Sequence, residues 1–370
     1  MELKQLHLVN YRNYKDINFS FSSKFNIISG KNGMGKTNLL DSIYFLCVTK
    51  SYHTTSDKNV VRRDESFLRI KGQIEKKDKN YEVVAKVALG EMKEISVNTI
   101  VMEKFSNYIG MFPIVFFIPS DQKIVSEGPD ERRKWMDSAI SQVNHMYLIE
   151  IMNYQKILKQ RNTHLKSLHV NEELLQIYDH QLSDLSINIT KQRSDFVNSF
   201  NVLFNDVYQK ISGNAEKVFL QYDSDCNDGL LLKDKLLAHR KKDIITQRTS
   251  FGNHRDDILF HLNDVILKSY ASQGQIKNFV LSLKLTQYLW MASQSEIKPI
   301  LMLDDIHDKF DKFRLANLFS YLNNESFGQV FLTDTDYTRI LPHISSLENY
   351  REECSIFEIK EGMLVTSPTF

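Results

Sequence analysis

Gly30-Lys31-Asn32-Gly33-Met34-Gly35-Lys36-Thr37 is the stretch on which the fold of this chain turns. It matches G-x-x-x-x-G-K-[ST] at every fixed position, and its glycines let consecutive backbone N–H groups curl around phosphate oxygens at the start of a helix. On the upstream side Phe25-Asn26-Ile27-Ile28-Ser29 reads as a buried strand. On the downstream side Leu39, Leu40, Ile43, Tyr44, Leu46 and Cys47 follow helical spacing. Strand, glycine loop and helix in that order are what a phosphate site requires, whereas a plain glycine turn needs no such flanks. The expected nucleotide-binding residues are Gly30, Lys31, Asn32, Gly33, Met34, Gly35, Lys36, Thr37 and Asn38. Lys36 is expected on the β- and γ-phosphates of ATP, as a catalytic residue, and Thr37 on Mg²⁺.

A second element completes such a site. Lys298-Pro299-Ile300-Leu301-Met302-Leu303-Asp304-Asp305 is an apolar strand ending in two carboxylates. P-loop proteins place an acid opposite Mg²⁺ in this way. Asp304 is the expected Mg²⁺-side ligand, and Asp305 the catalytic residue that orients or deprotonates the attacking water. A strand ending in a solvated acidic turn is the plainer reading of these residues by themselves, and the phosphate loop in the same chain favours the site.

Ala271-Ser272-Gln273-Gly274-Gln275 opens a helical run from Ile276 to Met291 and resembles the signature of ABC-type ATPases. The resemblance implies that Ser272, Gly274, Gln275 and the helix N-terminus face a γ-phosphate held by another subunit. Its position before the acidic strand is the order of that superfamily. Asp308-Lys309-Phe310-Asp311 then falls where those heads carry a D-loop, with Asp311 as its acid. Phe331-Leu332-Thr333-Asp334-Thr335-Asp336 ends a strand where transporters carry a switch histidine, which argues against a transporter ATPase.

The bulk properties set the frame. At 370 residues two or more cores are expected, and 42% hydrophobic with 25% charged residues is ordinary for a folded, soluble chain. Cys47, Cys226 and Cys354 lie far apart, so neither a disulfide framework nor a zinc site is indicated and a reducing cytoplasm fits. No export signal, membrane anchor or membrane partner is expected. The formal net charge of +1 rules out a uniformly basic coat but not a basic patch. Short alternating segments from Phe67 to Val97 suggest an antiparallel β lobe. Pro129 to Ile211 is nearly free of glycine and proline and repeats apolar residues at three and four, as long helices do.

The chain as a whole resembles the RecF family, an ABC-type, SMC-like group of ATPases. The stretches that carry this are ordered along the sequence: Leu8-Val9-Asn10-Tyr11-Arg12-Asn13-Tyr14, Lys50-Ser51-Tyr52-His53-Thr54, Phe117-Ile118-Pro119-Ser120-Asp121 and Gly128-Pro129-Asp130-Glu131-Arg132-Arg133. Tyr154-Gln155-Lys156-Ile157-Leu158-Lys159-Gln160-Arg161-Asn162 and Gly252-Asn253-His254-Arg255-Asp256-Asp257 follow. The chain departs from the family pattern at His53, Tyr178, Asn253 and Asp308-Lys309.

The resemblance implies an α/β fold: an ABC-type, SMC-like P-loop ATPase head with a β lobe, plus a mainly helical arm domain. The expected division is 1–125 and 246–370 for the head and 126–245 for the arm. It also implies an ATP-dependent homodimer, weak ATP hydrolysis used as a switch, and binding to single-stranded or gapped duplex DNA. RecR and RecO would be the partners in loading recombinase, in replication restart and in the SOS response. Arg132-Arg133-Lys134, His239-Arg240-Lys241-Lys242 and His254-Arg255 are basic clusters that could meet DNA phosphates, or else ion-pair within the chain. The alternative is a structural SMC-like subunit that bridges DNA, for which heptads sustained over many turns would be needed; none stand out between Ser141 and Ile211.

Overall fold

All five residues of the strand Phe25–Ser29 are buried, because a parallel neighbour lies on each side of it: Val330–Asp334 on one, Cys354–Lys360 on the other. In this computed structural model residues 1–213, 215–226, 232–306, 312–323, 326–345 and 350–366 are described. They cluster into two units, Met1–Asp121 with Val207–Asn214 and Lys277–Phe370, and Gln122–Asp206 with Ala215–Ile276.

The first unit is built on two sheets. One is six-stranded in the order Met363–Thr366, Cys354–Lys360, Phe25–Ser29, Val330–Asp334, Ile300–Leu303, Ile114–Phe117, parallel except at the Met363–Thr366 edge. Its central strands Phe25–Ser29, Val330–Asp334 and Ile300–Leu303 are buried along their whole length, as strands covered on both faces are. The other sheet is a six-stranded antiparallel meander that carries the expected β lobe, and it also takes in the first twenty residues through Glu2–Tyr11 and Tyr14–Ser20.

Between the sheets runs the helix Lys36–Val48, which touches strands of both. Every residue from Leu39 to Val48 is buried, so over that stretch this helix has no solvated stripe. One continuous core joins the two sheets through it. Gln329 adds a polar pin, because its side chain accepts from Leu3 N at 2.8 Å and donates to Leu3 O at 2.9 Å and Ser22 O at 2.8 Å. A single amide thus replaces the ladder bonds that the first strand lacks there.

The second unit holds Pro129–Val143, His145–His164 and most of Glu172–Ser212, with a small antiparallel sheet of Val218–Asp223, Asp257–Leu262 and Val265–Ile266. Residues 246–276, expected with the C-terminal part of the head, cluster here instead. The reason is strand pairing: Asp257–Leu262 runs antiparallel to Val218–Asp223 in register along its whole length, and a ladder of that length outweighs nearness in sequence. Trp135 packs edge-on against Phe196 and Phe200 to form the apolar centre.

The core of this unit also contains charge. Arg193, 1% exposed, donates to both oxygens of Asp137 at 2.9 and 3.0 Å, to Asp256 at 2.6 Å and to the Asn253 carbonyl at 2.8 Å. Arg161, fully buried, reaches Asp179 and Asp243, both at 2.8 Å. Buried ions are tolerated only when paired in this way. Replacing Arg193 with Ala leaves Asp256 charged in the interior and is expected to lower stability by about 3–5 kcal/mol. Urea unfolding of the full chain measures this, and a loss below about 1 kcal/mol would show that the network is dispensable.

Candidate functional site

The parallel strands deliver their carboxyl ends to one edge, where Ser29 and Asp334 are register partners and Leu303 lies beside Leu332. Ligands of open α/β sheets bind outside that edge. A cleft of about 200 Å³ opens there, lined by Asn32, Gly33, Gly35, Lys36, Thr37, Asn38, Pro119, Asp304 and Asp305. The structure therefore brings the glycine loop and both acids together, although some 270 residues separate them in sequence.

Gly35 is the N-cap of the helix Lys36–Val48, with φ 116° and ψ 2°. Only glycine holds that conformation without strain. A Cβ there would also stand 2.4 Å from Asn13 Nδ2, so the approach of the N-terminal turn forbids a side chain independently. The helix N-terminus behind the loop adds partial positive charge where phosphates would lie. Lys36 Nζ donates to the carbonyls of Gly30 at 2.5 Å and Lys31 at 3.1 Å, which folds the ammonium back over the mouth of the loop.

Thr37 Oγ1 donates to Asp304 at 2.9 and 3.1 Å. Asp304 is 5% exposed, and burial pushes its carboxyl above the usual range, with the Thr333 and Thr37 hydroxyls pulling the other way. Thr333 Oγ1 donates to Asp304 Oδ1 at 2.6 Å and accepts from Asp305 N at 2.8 Å. That second bond holds Asp305 at φ 51°, a left-handed conformation that costs a non-glycine residue about 1 kcal/mol or more. Thr333 was noted from the sequence only as a missing histidine, yet one hydroxyl sets the orientation of both acids.

Asp41 was not anticipated either. It is fully buried in the helix and accepts from Tyr11 Oη at 2.7 Å, Arg12 Nη2 at 2.8 Å and Tyr52 N at 2.8 Å. Those bonds explain why Leu8–Tyr14 and Lys50–Thr54 belong to one recognisable pattern: both segments are tied to one carboxylate beneath the loop.

Ser272, Gly274 and Gln275 lie in the other unit, at the start of the helix Gln273–Ser295. Ser272 N donates to Gln275 Oε1 at 2.8 Å and Gln275 N donates to Ser272 Oγ at 3.3 Å, a reciprocal cap of the helix end. Asp311 and the rest of the expected D-loop fall outside the described residues. The basic clusters are largely engaged within the chain. Arg132 forks onto Asp257 at 2.7 and 2.9 Å, Arg133 reaches the Asp256 carbonyl and Asp130, and Lys134 reaches Glu131. Arg240 bonds Asp179 at 2.9 Å, and His254 sits between Tyr154 and the Thr249 carbonyl, its basicity lowered by burial. Among these residues Lys134, Lys241, Lys242 and Arg255 are exposed.

The family model described as the RecF/RecN/SMC N terminal domain matches residues 2–340. The DNA replication and repair protein RecF of Flavobacterium johnsoniae is 39% identical over 339 residues, which is 90% of this chain and 94% of that relative. The chain belongs to the RecF family. It is therefore a DNA replication and repair protein of the RecF type. RecF of Porphyromonas gingivalis is 35% identical and is covered from end to end, by 98% of this chain. A solved structure of the recombination mediator protein RecF with ATP, in the RecFOR pathway, matches at a TM-score of 0.88 with 28% identity, over 99% of this chain and 97% of that one. The Smc head bound to ScpA matches at 0.60 with 12% identity and speaks to the fold alone, so the SMC-like alternative is the weaker one. Among the described residues no helix is long and apolar enough to cross a membrane.

Thr333→Val keeps the volume but removes a donor from a buried carboxylate, which costs about 1–3 kcal/mol. Because burial raises the Asp304 carboxyl above its unfolded value, the native state binds that proton more tightly, and stability falls as pH rises between the two values. The penalty should therefore be larger on the alkaline side, where the carboxylate is charged, than on the acid side, where it holds its proton. Thermal unfolding on both sides tests this, with Thr333→Ser expected to restore most of the loss; an equal penalty on both would separate Thr333 from the Asp304 charge.

Proposed function

We propose that the cleft binds ATP and hydrolyses it slowly, as a switch. The observation that carries this reading is the hydroxyl of Thr37 resting on the buried Asp304 carboxylate at the foot of the glycine loop. A hydroxyl and a carboxylate are hard oxygen donors, and among the described residues no cationic side chain is hydrogen-bonded to Asp304, so the pair fits Mg²⁺. Bound there, the cation would neutralise charge on the phosphate oxygens. The residues supply the rest. Backbone N–H groups of the loop hold phosphate oxygens, Lys36 swings from the Gly30 and Lys31 carbonyls to the β- and γ-phosphates, and Asp305 orients a water and takes its proton as the γ-phosphoryl leaves ADP.

The RecF homologue solved with ATP supports the choice of nucleotide. Lys36→Ala is expected to weaken ATP binding by about 30- to 100-fold, the worth of one charge-assisted contact. Asp305→Asn should bind ATP normally and turn it over about 10²- to 10⁴-fold more slowly. Equilibrium binding and steady-state hydrolysis separate the two, and equal rates in both variants and wild type would remove these roles.

The same reading extends to assembly. Two heads would close over two ATP molecules, with Ser272, Gly274, Gln275 and Asp311 of each completing the partner's site. A ligand bound only by the dimer then drives dimerisation by mass action. In this reading the closed dimer clamps single-stranded or gapped duplex DNA in the cytoplasm and, with RecR and RecO, helps load recombinase, restart replication and support the SOS response. The placement of the solved homologue in the RecFOR pathway supports that partnership. Light scattering with ATP and Mg²⁺ is expected to show a dimer for wild type and a monomer for Ser272→Arg, which retains ATP binding. A wild-type protein that stays monomeric would end the clamp reading. Binding to gapped and duplex DNA, compared with and without ATP at stated salt, tests the DNA role.

A further inference from the structure

The shape of the phosphate loop is imposed by residues outside it. In a trans peptide the C=O and the next N–H point in opposite directions, so a group that grips a carbonyl on the outer side of the loop turns the following N–H toward the inner side. The Met34 carbonyl accepts from Asn13 Nδ2 at 3.0 Å and from Gly362 N at 3.1 Å. The Gly35 carbonyl accepts from Tyr14 Oη at 2.9 Å and from Leu39 N at 3.0 Å. The N–H groups opposite those carbonyls belong to Gly35 and Lys36, both of which line the cleft.

Asn13 is itself held from several directions. Its backbone carbonyl accepts from Arg62 Nη1 at 2.7 Å, and its Oδ1 accepts from Asn38 Nδ2 at 2.7 Å. The Met34 carbonyl can only accept, so the orientation of the Asn13 amide is fixed, and Asn38 is obliged to donate to it. Gly362 closes the arrangement: a Cβ there would stand 2.6 Å from the Asn13 carbonyl, at a φ of 75° that disfavours side chains. The N-terminal turn and the C-terminal hairpin therefore converge on one peptide of the loop.

We propose that Asn13 is a positioning residue for the triphosphate: it aims loop N–H groups at phosphate oxygens, assisted by Tyr14 and kept in place by Gly362, so that affinity for phosphates is set from both ends of the chain. This rests on the reading of the loop as an ATP site. It assigns Asn13 no contact with nucleotide and no part in water attack, so its loss acts on binding and leaves the turnover of bound ATP in place.

Asn13→Asp is the sharpest probe, since it keeps the shape and the acceptor for Asn38 but cannot donate to Met34. In the full-length protein with Mg²⁺, the dissociation constant for ATP and the inhibition constant for inorganic pyrophosphate should rise together, by about 3- to 10-fold for one lost hydrogen bond. The rise should appear in KM and not in kcat. Tyr14→Phe should show a smaller rise, because Leu39 N still holds Gly35. Gly362→Ala, which displaces Asn13 from the far end of the chain, should match Asn13→Asp. These two variants leave the Asn13 side chain intact and answer the question even where Asn13→Asp fails to fold. Unchanged affinities in the variants, or a fall in kcat at constant affinity, would overturn the positioning role while leaving the ATP site standing. A wild-type protein that binds neither ATP nor pyrophosphate would overturn both.

Discussion

A helix with no solvated face is the constraint on which the first unit depends. Lys36–Val48 is buried between a parallel and an antiparallel sheet, so its axis cannot shift without repacking both, and close-packed interiors resist that. The N-terminus of this helix is the floor of the cleft. Fixing the helix therefore fixes where the loop N–H groups and the Thr37 hydroxyl stand, and the carboxyl ends of the parallel strands bring Asp304 and Asp305 to meet them. The antiparallel lobe does more than cover one face. Through Tyr11 and Arg12 it reaches the buried Asp41 carboxylate, so a polar anchor locks the helix against the lobe where apolar packing alone would allow it to slide.

The elements read from the sequence were those whose signal is local. A glycine motif between a buried strand and a helix carries its meaning within some twenty residues, and the acidic pair is announced by the apolar strand before it. What could not be read was set by pairing across distance. Nothing in Asn253 to Leu262 announces that its strand pairs with Val218–Asp223. The role of Thr333 exists only because parallel register places it between Asp304 and the glycine-loop strand. Periodicity also hides buried charge: Arg161, Arg193 and Asp179 lie on inward faces of long helices, where an apolar pattern would assign carbon.

The basic clusters show the same limit from the other side. Arg132 and Arg133 look like phosphate ligands when read as a run, but a guanidinium is valued for its fork geometry, and Asp257 takes that fork within the chain. Asn253, a departure from the family pattern, is fully buried and donates to Thr190 and Asp256. It thereby joins the network around Arg193 through its Nδ2 donor, while its Oδ1 is buried without a hydrogen-bond partner among the described residues.

The acid pair shows why a site of this kind is costly to build and stable once built. Asp304 is desolvated, which works against its charge, and the Thr333 and Thr37 hydroxyls, with His53, offset that in part. Asp305 is held in a left-handed conformation by a bond to one of the same hydroxyls. Neither acid is in its most comfortable state, and both depend on Thr333, whose own position is set by the parallel ladder. A positive charge placed beside Asp304 would offset its desolvation. A cation with phosphate oxygens would supply it, which is a physical reason for ligand binding and order in the site to rise together.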